Sequence, residues 1–119
     1  MPTTRLHETP NAAMTTLASP SLNGSCLAVW RLEMAPGARG PQHEVDREQV
    51  LVVTSGELAV TVAGTELRLG PGDALTLPSA TERQVVNVGV AVASGVVSSL
   101  PGAQATVADG DPVPIPWAC

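Results

Sequence analysis

A single histidine stands among acids in "GPQHEVDREQVLVVTSGE", residues 40–57, just ahead of an apolar run that stops at Gly56. An imidazole of ordinary pKa, about 6.5, takes up or gives a proton close to neutral pH, so His43 is the candidate general base of the chain. Further along, Arg83 supplies a fixed cation with N–H donors for a carboxylate, enolate or phenolate oxygen. If the fold brought the two into one pocket, they would suit proton abstraction beside a carbonyl, with stabilisation of the oxyanion that results. Other chemistries are closed. All six cationic residues are Arg, which excludes a lysine nucleophile or Schiff base. Cys26 and Cys119 fit neither a disulfide framework nor a CxxC metal pair, and His7 is read as a solvated residue of the N-terminal segment.

The elements that must hold these side chains are strands. Apolar and β-branched runs recur over residues 26–34, 48–54, 57–63, 65–70, 74–78, 82–88 and 91–100, and "APGARGP", "SG", "AG", "GPGD" and "PSAT" separate them with turn chemistry. A helical period is absent except for a trace over residues 11–18. Many short strands on a regular beat predict an all-β sandwich or barrel. Strand alternation puts His43 and Val45 on one face, and Gln49, Leu51 and Val53 on one face of the next strand.

Two stretches of the chain resemble the motifs of the cupin family. The first cupin motif runs Gly, five residues, His, one residue, His, three or four residues, Glu, six residues, Gly. Here Gly37, His43, Val45, Gln49 and Gly56 meet every spacing, but Val45 stands for the second His and Gln49 for the Glu. The second motif is matched by "GPGDALTLPSATERQVVN", which aligns Gly72, Asp73, Pro78 and Asn87 and places Arg83 where the third metal histidine would be. The resemblance spans about residues 26–100 and implies a single-domain, antiparallel jelly-roll β-barrel with residues 1–20 as an irregular N-terminal arm, 21–107 as the barrel and 108–119 as an extended, Pro-rich tail.

The resemblance also implies that these faces, with Arg83, Val85 and Asn87, point into the barrel. The interior then holds an imidazole, a guanidinium and two carboxamides among aliphatic walls, the build of a small-molecule pocket. In the strand over 26–34, Trp30 alternates with Arg31, so one of them faces the pocket. Of the four inherited metal positions only His43 is a good ligand, and a permanent cation at Arg83 repels a metal ion, so no metal or other cofactor is expected. A bulge in "EVDREQ" would turn Glu48 inward in place of Gln49. An inward Arg83 can instead pair with Glu33 or Glu48.

Three uses stay open on these residues. The leading one is metal-independent acid/base catalysis of cyclase, isomerase, dehydratase or decarboxylase type, which the resemblance places in a secondary-metabolite, polyketide-like pathway. The others are a noncatalytic binding or sensor protein and a metal-dependent oxygenase with an atypical ligand set. The expected partner is a small organic molecule. A net charge of −5, no basic cluster and no Tyr or Phe argue against nucleic acid, and no run approaches the ~18 apolar residues of a membrane span. Charged residues make up only 14% of the chain, a charge-poor surface that suits association, and the resemblance implies a homodimer. The start of the chain lacks the apolar run of a signal peptide, which leads to the expectation of a cytoplasmic protein. In the tail, Trp117 is the one large anchor, either covering apolar surface or closing a pocket mouth.

Overall fold

β-Branched runs cut by Gly, Pro and Asp fold as antiparallel strands in the computed structural model, which describes residues 3–119. All seven expected runs form, as β3 (Ala28–Met34), β5 (Gln49–Ser55), β6 (Leu58–Val62), β7 (Thr65–Leu69), β8 (Ala74–Leu77), β9 (Arg83–Asn87) and β10 (Ala93–Ser99). Five more strands join them: β1 (Arg5–Glu8), β2 (Ala13–Ala18), β4 (Glu44–Val45), β11 (Gln104–Thr106) and β12 (Val113–Pro114).

One sheet runs β1-β2-β3-β10-β5-β8. Opposite it lie two three-stranded sheets, β7-β6-β9 and β12-β11-β4, which residues 37–43 join through bridges Arg39 to Val86 and His43 to Arg83. The result is an all-β jelly-roll barrel. Alternation along β5 follows the expected pattern, with Gln49, Leu51 and Val53 buried and Val50 and Val52 half-buried. The core between the layers is aliphatic, with Leu51, Val53, Leu58 and Val60 each at most 1% exposed. Each such side chain contributes about 1.5–3 kcal/mol through its burial.

Residues 5–18 correct the expectation of an irregular arm and of a helical trace. The hairpin β1–β2 pairs with β3 in the register Met14 to Leu32 and Thr16 to Trp30. Its run "AMTTLA" has little apolar contrast, so its strand character comes from pairing with β3 rather than from a strong period-two signal. Buried Thr16 donates from Oγ1 to the Trp117 carbonyl at 2.9 Å, which ties the hairpin to the far end of the chain. There the extended tail ends in a single 3-10 turn, Pro116–Ala118.

The corners show why particular residues stand at them. Ala63 and Gly64 both have positive φ, 49° and 83°, the requirement of a two-residue type I′ hairpin between β6 and β7. Gly72 takes φ 89°, whereas Gly70 does not need positive φ and instead donates its N–H to Asp73 Oδ2 at 2.9 Å. At Gly56 φ is 75°, and a Cβ would lie 2.7 Å from Ala93 Cα.

Gly56→Ala therefore combines backbone strain with a clash against main chain, and is expected to cost about 2–4 kcal/mol. Gly64→Ala meets nothing within 4 Å and should cost only the left-handed penalty of about 1–2 kcal/mol. Urea unfolding of the two variants checks this; equal costs would show that the approach to Ala93 is not limiting.

Candidate functional site

Residues 37–43 form no strand of their own, yet run antiparallel to β9. Gly37 N–H donates to Asn87 O at 3.1 Å and Gly40 N–H to Val85 O at 2.8 Å, and His43 and Arg83 exchange both backbone bonds at 3.0 and 2.8 Å. A directly opposed, hydrogen-bonded pair sits about 5.5 Å apart at Cα with both side chains on one face. That face looks into a cavity of about 650 Å³ lined by His43 and Arg83 together. The volume is within the usual range for a small-molecule site.

Most of the expected wall is present. Val45, Gln49, Leu51, Val85 and Trp30 line the same cavity. Gln49 is 5% exposed and Glu48 is exposed, so no bulge turns Glu48 inward. Arg31 lies outside, 3.7 Å from Glu33, which leaves Trp30 as the inward residue of β3. Gln49 is fastened by a bond from its Nε2 to Ser99 Oγ at 3.3 Å.

Two expected ligand residues are not in the wall. Val53 is fully buried, but farther along β5 in the packed core and away from the cavity lining. Asn87 is 1% exposed and spends its amide on the corner after β9. Its Nδ2 donates to Met34 O and Ala91 O, and its Oδ1 accepts from Gly89 N–H, each at 2.9 Å. Alternation grouped Val53 with Gln49 and Leu51, and the cupin resemblance turned that face and Asn87 inward, but neither says anything about depth along a strand.

The N-terminal hairpin and the tail supply further wall residues, of which only Trp117 was weighed from the sequence, as covering apolar surface or closing a pocket mouth. Thr9, Asn11 and Met14 come from the hairpin, and Ile115 and Trp117 from the tail. For Trp117, its place as the one large anchor among prolines was a usable signal; for the hairpin there was none. His7 is not solvated. It is half-buried, its ring centroid is 6.2 Å from that of Trp117, and its buried Nδ1 has no partner among the described residues.

The electrostatics separate the two central groups. His43 Nδ1 is 2.9 Å from the Pro41 carbonyl; a carbonyl only accepts, so Nδ1 carries the proton and Nε2 holds the lone pair of the neutral ring. Burial lowers the His43 pKa below 6.5, the Pro41 bond opposes this, and the charge of Arg83 adds to the lowering. Burial also lowers the Arg83 pKa, against the pull of Glu44, although a guanidinium stays charged at any working pH. Arg83 is 1% exposed. Its Nη2 donates to Pro78 O at 2.9 Å, while Nε and Nη1 are buried with no partner among the described residues. Neither Glu33 nor Glu48 pairs with it; the ion pairs among described residues are Arg31 with Glu33 and Arg68 with Glu57.

A family model for the cupin domain matches residues 30–99, and the chain belongs to the cupin family. It is 35% identical over 106 residues to germin-like protein 3-1 of Oryza sativa subsp. japonica, an alignment covering 79% of this chain and 47% of the rice protein. The chain thus spans about half the length of that relative. Among solved structures it is similar to a sugar phosphate isomerase of the cupin superfamily from Silicibacter pomeroyi, with 26% identity, TM-score 0.67 and coverage of 82% of this chain and 67% of that one. An oxalate oxidase in complex with glycolate is also 26% identical, with TM-score 0.69 and coverage of 81% and 56%. A likeness at fold level links it to an RmlC-like cupin from Shewanella frigidimarina, 21% identical with TM-score 0.69 over 81% of this chain and 82% of that one.

The inherited metal positions do not fit a divalent ion. His43 is a donor, but Val45 is hydrocarbon, Gln49 is tied to Ser99, and Arg83 brings a buried positive charge whose Nε and Nη1 meet no acceptor among the described residues. Among the described residues no group of three or more His, Cys, Asp or Glu side chains gathers around a common point. No helix among the described residues is long and apolar enough to cross a membrane.

Arg83 and Asn87, both 1% exposed, should respond oppositely to truncation. Arg83→Met removes an unanswered buried charge, and unfolding in urea is expected to show a gain of about 1–2 kcal/mol. Asn87→Ala removes three satisfied bonds and is expected to lose about 2–4 kcal/mol. A comparable loss at Arg83→Met would mean that the guanidinium holds the fold together.

Proposed function

We propose that this cupin binds a small organic molecule between its two layers and catalyses proton transfer beside a carbonyl without a metal, in a cyclase, isomerase, dehydratase or decarboxylase type of reaction. The observation that carries the reading is the His43–Arg83 cross-strand pair on the cavity wall. His43 Nε2 accepts the proton of a C–H next to the carbonyl, and the C–H electron pair moves into the carbonyl to make an enolate oxygen. The guanidinium of Arg83 holds that negative charge. Return of the proton from the imidazolium to a different atom gives an isomer; given to a departing β-hydroxyl it releases water, and given to the alkoxide formed when the enolate carbon attacks a second carbonyl it completes a ring. Where CO2 leaves a β-keto acid in place of the C–H proton, the same enolate forms on Arg83 and is quenched by a proton from the imidazolium. Trp30, Leu51 and Val85 keep the site apolar, which strengthens both interactions.

A noncatalytic binding role is the second reading, favoured by the free donors of Arg83, which suit a stably bound anion as well as a transient one. Proton exchange separates the two. Cyclic 1,3-diketones and β-keto esters are incubated with the protein in D2O, and loss of the α-proton signal is followed by NMR. Exchange above buffer is expected, and His43→Ala should reduce it by about 10²–10⁴-fold with the fold retained by circular dichroism. No exchange with any probe, or equal exchange by His43→Ala, contradicts the catalytic reading.

The pH dependence has a definite sign. The base is competent when neutral, and its folded pKa lies below 6.5; activity is thus full above that pKa and lost as pH falls through it. The acid limb of kcat/KM is expected below pH 6.5, and should vanish from the residual rate of His43→Ala.

A further inference from the structure

A guanidinium carries five N–H groups, one on Nε and two on each terminal nitrogen. In Arg83 the Nε and Nη1 atoms have no acceptor among the described residues, so one and two make three N–H groups unanswered. Among the described residues its single acceptor is the Pro78 carbonyl, on Nη2. Glu44 is the acid whose charge reaches the guanidinium, and its side chain is exposed on the outside of the barrel. The interior charge therefore has no counterion among the described residues, and the space that Arg83 borders is the cavity.

What else lines that space narrows the counterion. Trp30, Leu51, Val85 and Val97 supply apolar wall from both layers, and the charged lining residue besides Arg83 and His43 is Asp111, an acid. One buried cation, with the acid Asp111 exposed and not paired with it, suits a monoanion. A phosphate ester near its dianionic form would need further cations, and the chain contains no Lys. A polyhydroxylated ring would leave most of its hydroxyls facing hydrocarbon, at a cost for every unmatched one. We propose that the ligand of this site is a small, mainly apolar monocarboxylate, bound with its carboxylate on Arg83 and its hydrocarbon body against Trp30 and the aliphatic wall. The proposal rests on the reading of the cavity as the ligand site and adds to it a permanent anionic group, held before any enolate forms.

The test compares matched probes. Benzoate, phenylacetate and 2-naphthoate, their primary amides, and phenyl phosphate are titrated by calorimetry and thermal shift. At least one carboxylate is expected to bind more tightly than its amide and than phenyl phosphate by about tenfold or more. Arg83→Gln is expected to abolish that preference for the acid while leaving the weak affinity for the amide. Should Arg83→Gln fail to fold, Arg83→Met and the acid-against-amide comparison in the unmodified protein carry the same test. The proposal is overturned if amides bind as well as acids, if phenyl phosphate binds best, if the preference survives loss of Arg83, or if no carboxylate binds at about 10 mM. Carboxylate binding without proton exchange would sink the catalytic reading and leave this one standing; exchange on neutral ketones with no preference for acids would do the reverse.

Discussion

Two backbone hydrogen bonds between His43 and Arg83, at 3.0 and 2.8 Å, are the seam on which this barrel and its site both depend. β9 pairs with β6 on one side and with residues 37–43 on the other. That segment runs on into β4, which pairs with β11. The seam thus turns two three-stranded sheets into one layer able to face the six-stranded sheet. Because the pair is directly opposed, the same bonds set the two side chains next to each other on the inner face. The chemistry is placed by main chain, and side-chain packing only refines it.

Within that geometry the two groups are driven apart in charge. Burial disfavours the charged form of both, but the imidazole can yield and the guanidinium cannot. His43 is left neutral with its lone pair on Nε2, and Arg83 is left cationic with most of its donors unused. Titratable neighbours whose environments separate their protonation states are the arrangement that acid/base chemistry needs. The cost is a buried charge with no counterion among the described residues, an inconsistency expected at a site of function rather than in a structural core. The relation to the cupin scaffold is then intelligible: the turns and strands persist, while Val45, Gln49 and Arg83 stand at the positions where the cupin motifs carry metal donors.

Much of this was legible in the chain because the strand period and the turn residues agree. Gly56, Gly72 and Asp73 sit at corners whose geometry demands them, so the seven runs between such corners emerged within two residues of their ends. Alternation resolved Gln49 from Glu48 once no bulge intervened. The failures were of two physical kinds. Period two and the family resemblance report side and not depth, so Val53 and Asn87 were assigned to a wall that ends before reaching them. Contacts distant in sequence leave no local trace, so nothing marked the hairpin that brings Met14 to the wall, although Trp117 stood out in the tail as its one large anchor. A Thr-rich strand such as β2 is stabilised by its neighbour, and nothing in its own residues announces that.

The most direct measurement is the titration of His43 in the intact protein, followed through its ring proton by NMR and assigned against His7→Gln, with and without a saturating carboxylate. Burial and an uncompensated Arg83 require a midpoint below 6.5 in the free protein. A bound carboxylate cancels part of the positive charge beside the ring, so the midpoint should rise when the site fills. A free-state midpoint at or above 6.5, or one that ignores the bound anion, would contradict the coupling of a neutral base to an unpaired guanidinium on which the proposed function stands.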